Sequence, residues 1–125
     1  MEFDDFIGRL NPHFALGHTS YTYLDCLGLV ILWLNDTGYW CDWEAEVTRK
    51  ITNPVLLKEQ LVQHKFVQID NPPTDRPCVA TWAPHKDSGH LGLYDNQRGL
   101  VYHMTPWGLR SEKLEVCEFW EYKGN

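Results

Sequence analysis

Asp25-Cys26-Leu27-Gly28-Leu29-Val30, continued by Ile31-Leu32-Trp33-Leu34, holds the longest apolar run of the chain. The apolar run starts after one acidic residue and stops at Asn35-Asp36-Thr37-Gly38, a helix end followed by a turn. A helix hydrophobic on all sides must lie in the middle of a domain, and Asp25 is its natural N-cap. Cys26 then falls in the first turn. There the unpaired backbone N–H groups and the positive end of the helix dipole favour thiolate over thiol, which makes Cys26 a candidate nucleophile. The same run also fits a buried strand or helix whose cysteine is one more small hydrophobe.

Working outward, Phe3, Phe6 and Ile7 recur at helical spacing and predict a short helix ended by Gly8 and Pro12. The small, polar and aromatic residues 14–23 predict a loop into Asp25, with His13 and His18 exposed near it. After the central run, Tyr39-Trp40-Cys41-Asp42-Trp43 predicts either cover for the core or the wall of a groove. Asn53-Pro54 reads as an N-cap and first-turn proline for a helix through Val55, Leu56, Glu59, Leu61 and Val62, ending near His64. Phe66-Val67-Gln68-Ile69 is a brief strand, and the proline-rich residues 71–77 form a rigid connector. Beyond it Cys78–Trp82, His90–Tyr94, Leu100–Met104 and Val116–Tyr122 are strand candidates separated by turn residues. Helices followed by a run of strands predict an α+β fold with an antiparallel sheet.

The 125 residues suit a single domain, 1–125, and 6 Trp, 6 Tyr and 5 Phe assign much of its core to aromatic packing. A net charge of −6 with no basic cluster argues against nucleic acid as a partner. No apolar stretch reaches the roughly 20 residues of a membrane span, and the acidic opening Met1–Asp5 is unlike a Sec signal, so a soluble, cytoplasmic product is expected. Cys26, Cys41, Cys78 and Cys117 are widely spaced with no C-x-x-C pair, which favours reduced thiols. Their even number leaves two disulfides open.

His90 and His103 are linked by a parity argument. Opposed residues of an antiparallel pair share a face, so these two meet only if the sum of paired residue numbers is odd. Pairing His90 with His103 sets Tyr94 against Gly99 and leaves Asp95-Asn96-Gln97-Arg98 as a four-residue loop. Gly92 then leaves room on the histidine face, while Leu91 and Leu93 turn to the other. A cysteine nucleophile needs a base and a group that orients the base, and Cys26, His90 and His103 supply all three. They equally supply three zinc ligands, although no fourth ligand lies near any of them in sequence and no metal is expected.

These residues resemble a known family. Asp25-Cys26-Leu27-Gly28-Leu29-Val30 is similar to the Asp-Cys-x-Gly-Leu-Val signature of NlpC/P60 cysteine peptidases, and Gly89-His90-Leu91-Gly92-Leu93-Tyr94 to their Gly-His-Val-Gly-Ile-Tyr strand. Val101-Tyr102-His103 falls where such proteins carry a third catalytic residue. Leu27 resembles the Asp-Cys-Leu-Gly-Leu form of phage-type and gene-transfer-agent members. Ile7-Gly8-Arg9 and Gly17 echo the glycine-rich lead-in of the same group. Asp75-Arg76-Pro77 replaces the family's usual Gly-Asp opening of the first sheet strand. The likeness covers most of the span from Ile7 to Leu109.

The resemblance implies a papain-like fold with the nucleophile helix packed on the antiparallel sheet, and a Cys26-His90-His103 triad that uses no cofactor. Tyr23 or Tyr21 matches an upstream tyrosine that faces the active site in relatives and can assist the oxyanion. It also implies a peptidoglycan stem peptide as substrate and phage tail proteins as partners, with synthesis in the host cytoplasm and delivery on the virion. Two rival expectations stand beside it. One is a structural tail-tip or tail-assembly component that retains the peptidase fold. The other is a bacterial amidase or acyltransferase of the same fold with a different substrate.

Overall fold

Every residue from Leu27 to Leu34 is buried, so the apolar run is a helix enclosed on all sides, α2, spanning Cys26–Asp36. The computed structural model describes residues 2–10, 13–14, 23–24, 26–41, 43, 54–85, 88–105, 107–115 and 117–124, with 13–14, 23–24, 84–85 and 88 described in backbone only. Asp25 and Asn53, the expected caps, lie outside the described residues, as do His18 and Tyr21. At the far end of α2 the Thr37 hydroxyl donates to the Trp33 and Leu34 carbonyls and closes the last turn. Gly38 follows with φ +93°, the left-handed residue that stops the helix.

The other elements in chain order are α1 (Phe3–Arg9), the short strands β1 (His13–Phe14) and β2 (Tyr23–Leu24), α3 (Pro54–Gln63), and strands β3 (Phe66–Ile69), β4 (Cys78–His85), β5 (Ser88–Asp95), β6 (Leu100–Thr105), β7 (Gly108–Glu112) and β8 (Glu118–Tyr122). Six of the strands form one sheet in the order β3-β8-β4-β5-β6-β7, and every pairing in it is antiparallel. The α+β class expected from the sequence is therefore observed. Three details differ. Residues 13–14 and 23–24 pair as a parallel two-stranded ladder where a loop was expected. α1 runs through Gly8 to Arg9. The sheet also gains an edge strand, β7, with mostly polar and exposed side chains.

The side of the sheet that carries Phe66, Val79, Leu91, Leu93, Met104 and Trp120 faces the helices. These residues join the α2 side chains, Phe6 of α1 and Leu57 and Leu61 of α3 in one core. α3 buries Leu57 and Leu61, one turn apart, whereas Val55 and Val62 of the expected apolar stripe are exposed. Phe3 and Phe6 meet the Trp33 ring edge-on at 5.3 and 5.1 Å and hold α1 against α2. Trp43 is buried and stacks on His64 at 4.9 Å, while Trp40 is exposed, so the aromatic stretch 39–43 divides between core and surface. Full burial of a leucine such as Leu29 or Leu61 stabilises the fold by about 1.5–3 kcal/mol. The central helix is in this way fixed against β5 and β6, the strands that carry the two histidines.

Candidate active site

The β5–β6 hairpin pairs Leu93 with Tyr102, Tyr94 with Val101 and Asp95 with Leu100. The pairing sum is odd, so His90 and His103 project from the same face, as parity requires. They are not directly opposed. The loop is Asn96-Gln97-Arg98-Gly99, one residue further along than the sequence reading places it, and the register moves by two. The physical reason is Gly99. Its φ of +67° suits a turn and not a strand, and its N–H closes onto the Asp95 carbonyl at 2.8 Å. Asp95 fixes the loop from within, accepting from the Gln97 N–H at 3.1 Å and from Arg98 at 2.7 Å.

Continuing this register puts Gly92 opposite His103. A Cβ at Gly92 would press into the Tyr102 carbonyl oxygen and lie 3.1 Å from His103 Cβ, so the strands approach here as only glycine permits. His103 is buried. Its Nε2 lies 3.0 Å from Glu112 Oε2, and its Nδ1 is buried with no hydrogen-bond partner among the described residues. Trp82 of β4 is the cross-strand partner of His90. The indole stacks on the His90 ring at 5.8 Å and meets the His103 ring edge-on at 5.1 Å, covering both imidazoles.

Cys26 is the first residue of α2 and half-buried, with Sγ 3.2 Å from the Met104 carbonyl oxygen. This contact is made by a protonated thiol acting as donor, because a thiolate and a carbonyl oxygen repel. Met104 directly follows His103. The body of α2 packs on the Leu91, Leu93 and Met104 side of the sheet, and by strand alternation the histidines project from the other. The β5–β6 pairs stop at Leu93 and Tyr102, so His90, His103 and Met104 lie beyond the paired part of this ladder. No family model, curated protein or solved structure matches this chain.

The four cysteines are thiols in the structure. Burial pushes the Cys78 thiol up to about 12 and raises Cys117 as well, so both are poor nucleophiles near neutral pH. Among the described residues no three His, Cys, Asp or Glu side chains cluster as a metal site requires, and no helix is long and apolar enough to cross a membrane. Tyr23 is described in backbone only, in β2 just ahead of α2.

Two residues at the site escaped the sequence reading, Trp82 and Glu112. Trp82 was visible as a strand aromatic, but its place over the histidines needs the β4–β5 register. Glu112 belongs to the edge strand that carries no apolar alternation. Neither position has a local signal.

Proposed function

We propose that this chain is a cysteine peptidase or amidase of the NlpC/P60 kind, acting on the stem peptides of bacterial peptidoglycan as a phage tail component. Cys26 is the nucleophile, His90 the base and His103 its orienter. The observation that carries the reading is the position of Cys26 at the first turn of a helix buried from Leu27 to Leu34, against the strand that presents His103. The shared face of His90 and His103, under Trp82, supports it.

In the reaction the Cys26 thiol gives up its hydrogen bond to Met104 and passes its proton to His90. The sulfur attacks the amide carbonyl carbon, and the oxyanion takes the backbone N–H of Cys26, with Tyr23 or Tyr21 as a second donor. His90 returns the proton to the leaving amine as the carbon–nitrogen bond breaks. Water, activated by His90, then hydrolyses the thioester and restores the thiol.

The hydrogen bond that engages the thiol with the Met104 carbonyl favours a second reading, in which the chain is a structural tail protein that keeps the fold without turnover. Mass spectrometry of peptidoglycan incubated with the protein and with Cys26→Ala separates the two. Peptide fragments released by the wild type alone support the enzyme. An intact sacculus with both proteins leaves the structural reading.

A further inference from the structure

His103 is held by an exposed carboxylate on one side and has a buried, unsatisfied nitrogen on the other. We propose that Glu112 is a positioning residue that sets the tautomer of His103, keeping the proton on Nε2 and leaving Nδ1 as a bare acceptor inside the site. Its catalytic consequence rests on the reading of His90 as base and His103 as orienter, while the tautomer itself rests on the geometry alone.

The three protonation forms of the ring differ in what they do with their neighbours. With the proton on Nε2, the N–H points at the Glu112 carboxylate 3.0 Å away, a charge-assisted hydrogen bond, and Nδ1 carries only a lone pair. With the proton on Nδ1, the Nε2 lone pair faces a carboxylate oxygen and two acceptors repel, while the Nδ1–H is buried without an acceptor. With both nitrogens protonated, the same buried N–H is again unmet. An orphaned buried N–H is the rarer and costlier state.

Arg110, the cross-strand partner of His103 on β7, is exposed and offers donors only, so it cannot take a proton-bearing nitrogen in place of Glu112. Trp82 presents a ring to the imidazole and no acceptor.

A bare Nδ1 is what an orienter needs. His90 lies diagonally across β5–β6 on the same face, a relation that sets Cβ atoms roughly 7–8 Å apart, the span of two imidazoles joined by one hydrogen bond. A His90 N–H donated to His103 Nδ1 leaves the other His90 nitrogen unprotonated and able to accept the thiol proton. Glu112 thereby acts on the base at one remove, through His103.

The test is long-range proton–nitrogen NMR on the full chain labelled with 15N-histidine, at pH 8. The His103 signals are identified by their loss in His103→Asn. The expected result is the Nε2–H tautomer in the wild type and in Glu112→Gln, whose amide oxygen still accepts, and a mixture of tautomers in Glu112→Ala. On peptidoglycan, Glu112→Ala should lose about tenfold in kcat with KM unchanged, the loss of one hydrogen bond to a charged group, and Glu112→Gln should recover most of it. An Nδ1–H tautomer in the wild type, or one in Glu112→Ala that does not move, overturns the inference. Should the tautomer respond as expected while no protein cleaves, wild type included, the tautomer assignment stands and the peptidase reading falls. If the wild type cleaves and Glu112→Ala keeps both its tautomer and its kcat, Glu112 is a surface carboxylate and the inference falls alone.

Discussion

Replacing Gly92 with alanine tests the close approach of β5 and β6 on which the histidine geometry depends. The added Cβ would overlap the Tyr102 carbonyl oxygen and stand 3.1 Å from both His103 Cβ and Val101 Cγ1. Tyr102 is paired on both sides, with Leu93 and with Ser111, so its carbonyl cannot retreat without breaking one ladder or the other. Overpacking of this kind typically costs about 1–3 kcal/mol. In a domain of this size each kcal/mol moves Tm by about 3–5 °C, so Gly92→Ala should unfold roughly 3–15 °C below the wild type. Thermal unfolding followed by circular dichroism measures it. Gly8→Ala is the control, since a Cβ there meets nothing within 4 Å in α1, and it should stabilise by about 0.5–1 kcal/mol. A Gly92→Ala protein with the wild-type midpoint would mean that β5 and β6 do not approach this closely at Gly92.

Further outcomes follow from the site and from the charged rim of the sheet. His90→Ala should abolish turnover, whereas His103→Asn, which still offers an acceptor, should keep a measurable fraction, and equal loss in two folded variants contradicts the assigned roles. Hydrogen bonds from Lys123 and Arg76 hold the Glu121 carboxyl below its ordinary range. That contribution to stability is complete above the ordinary carboxylate range and is lost as pH falls through the lowered value, so between pH 7 and about pH 3 the wild type should lose more stability than Glu121→Gln. Urea midpoints across that range check the sign, and parallel curves would show that the ion pairs contribute nothing.

The parts of the structure that were legible in the sequence are those with a short-range physical cause. The α2 run needed only its uninterrupted apolar character to predict burial, whereas that character alone leaves helix and strand both open. The shared face of His90 and His103 survived a misplaced loop because a register slip of two residues leaves parity intact. The slip itself came from treating Gly99 as a strand residue, although a glycine closing a turn that starts with Asp95-Asn96 is equally a left-handed turn position. β7 was missed because Gly108-Leu109-Arg110-Ser111-Glu112 is an exposed edge with no buried alternation to read. The insertion of β8 between β3 and β4 pairs segments far apart in the chain, Gln68 with Trp120 and Val79 with Trp120, and nothing local encodes it. Trp82 and Glu112 join the site through the registers of the β4–β5 and β6–β7 pairs, which the chain alone does not specify. The motif residues could be named from the chain, but the neighbours that tune them could not.

The rate of Cys26 alkylation by iodoacetamide at pH 7, read by peptide mass spectrometry, tests without a substrate whether Cys26 is a nucleophile activated by His90. Cys26 should react well ahead of Cys41 and of Cys78 and Cys117, whose thiols are held up by burial, and His90→Ala should slow Cys26 by about tenfold or more while the protein remains folded. Cys26 labelling no faster than the other three, or at the same rate with and without His90, would contradict the triad and leave Cys26 as a packed thiol donating to the Met104 carbonyl.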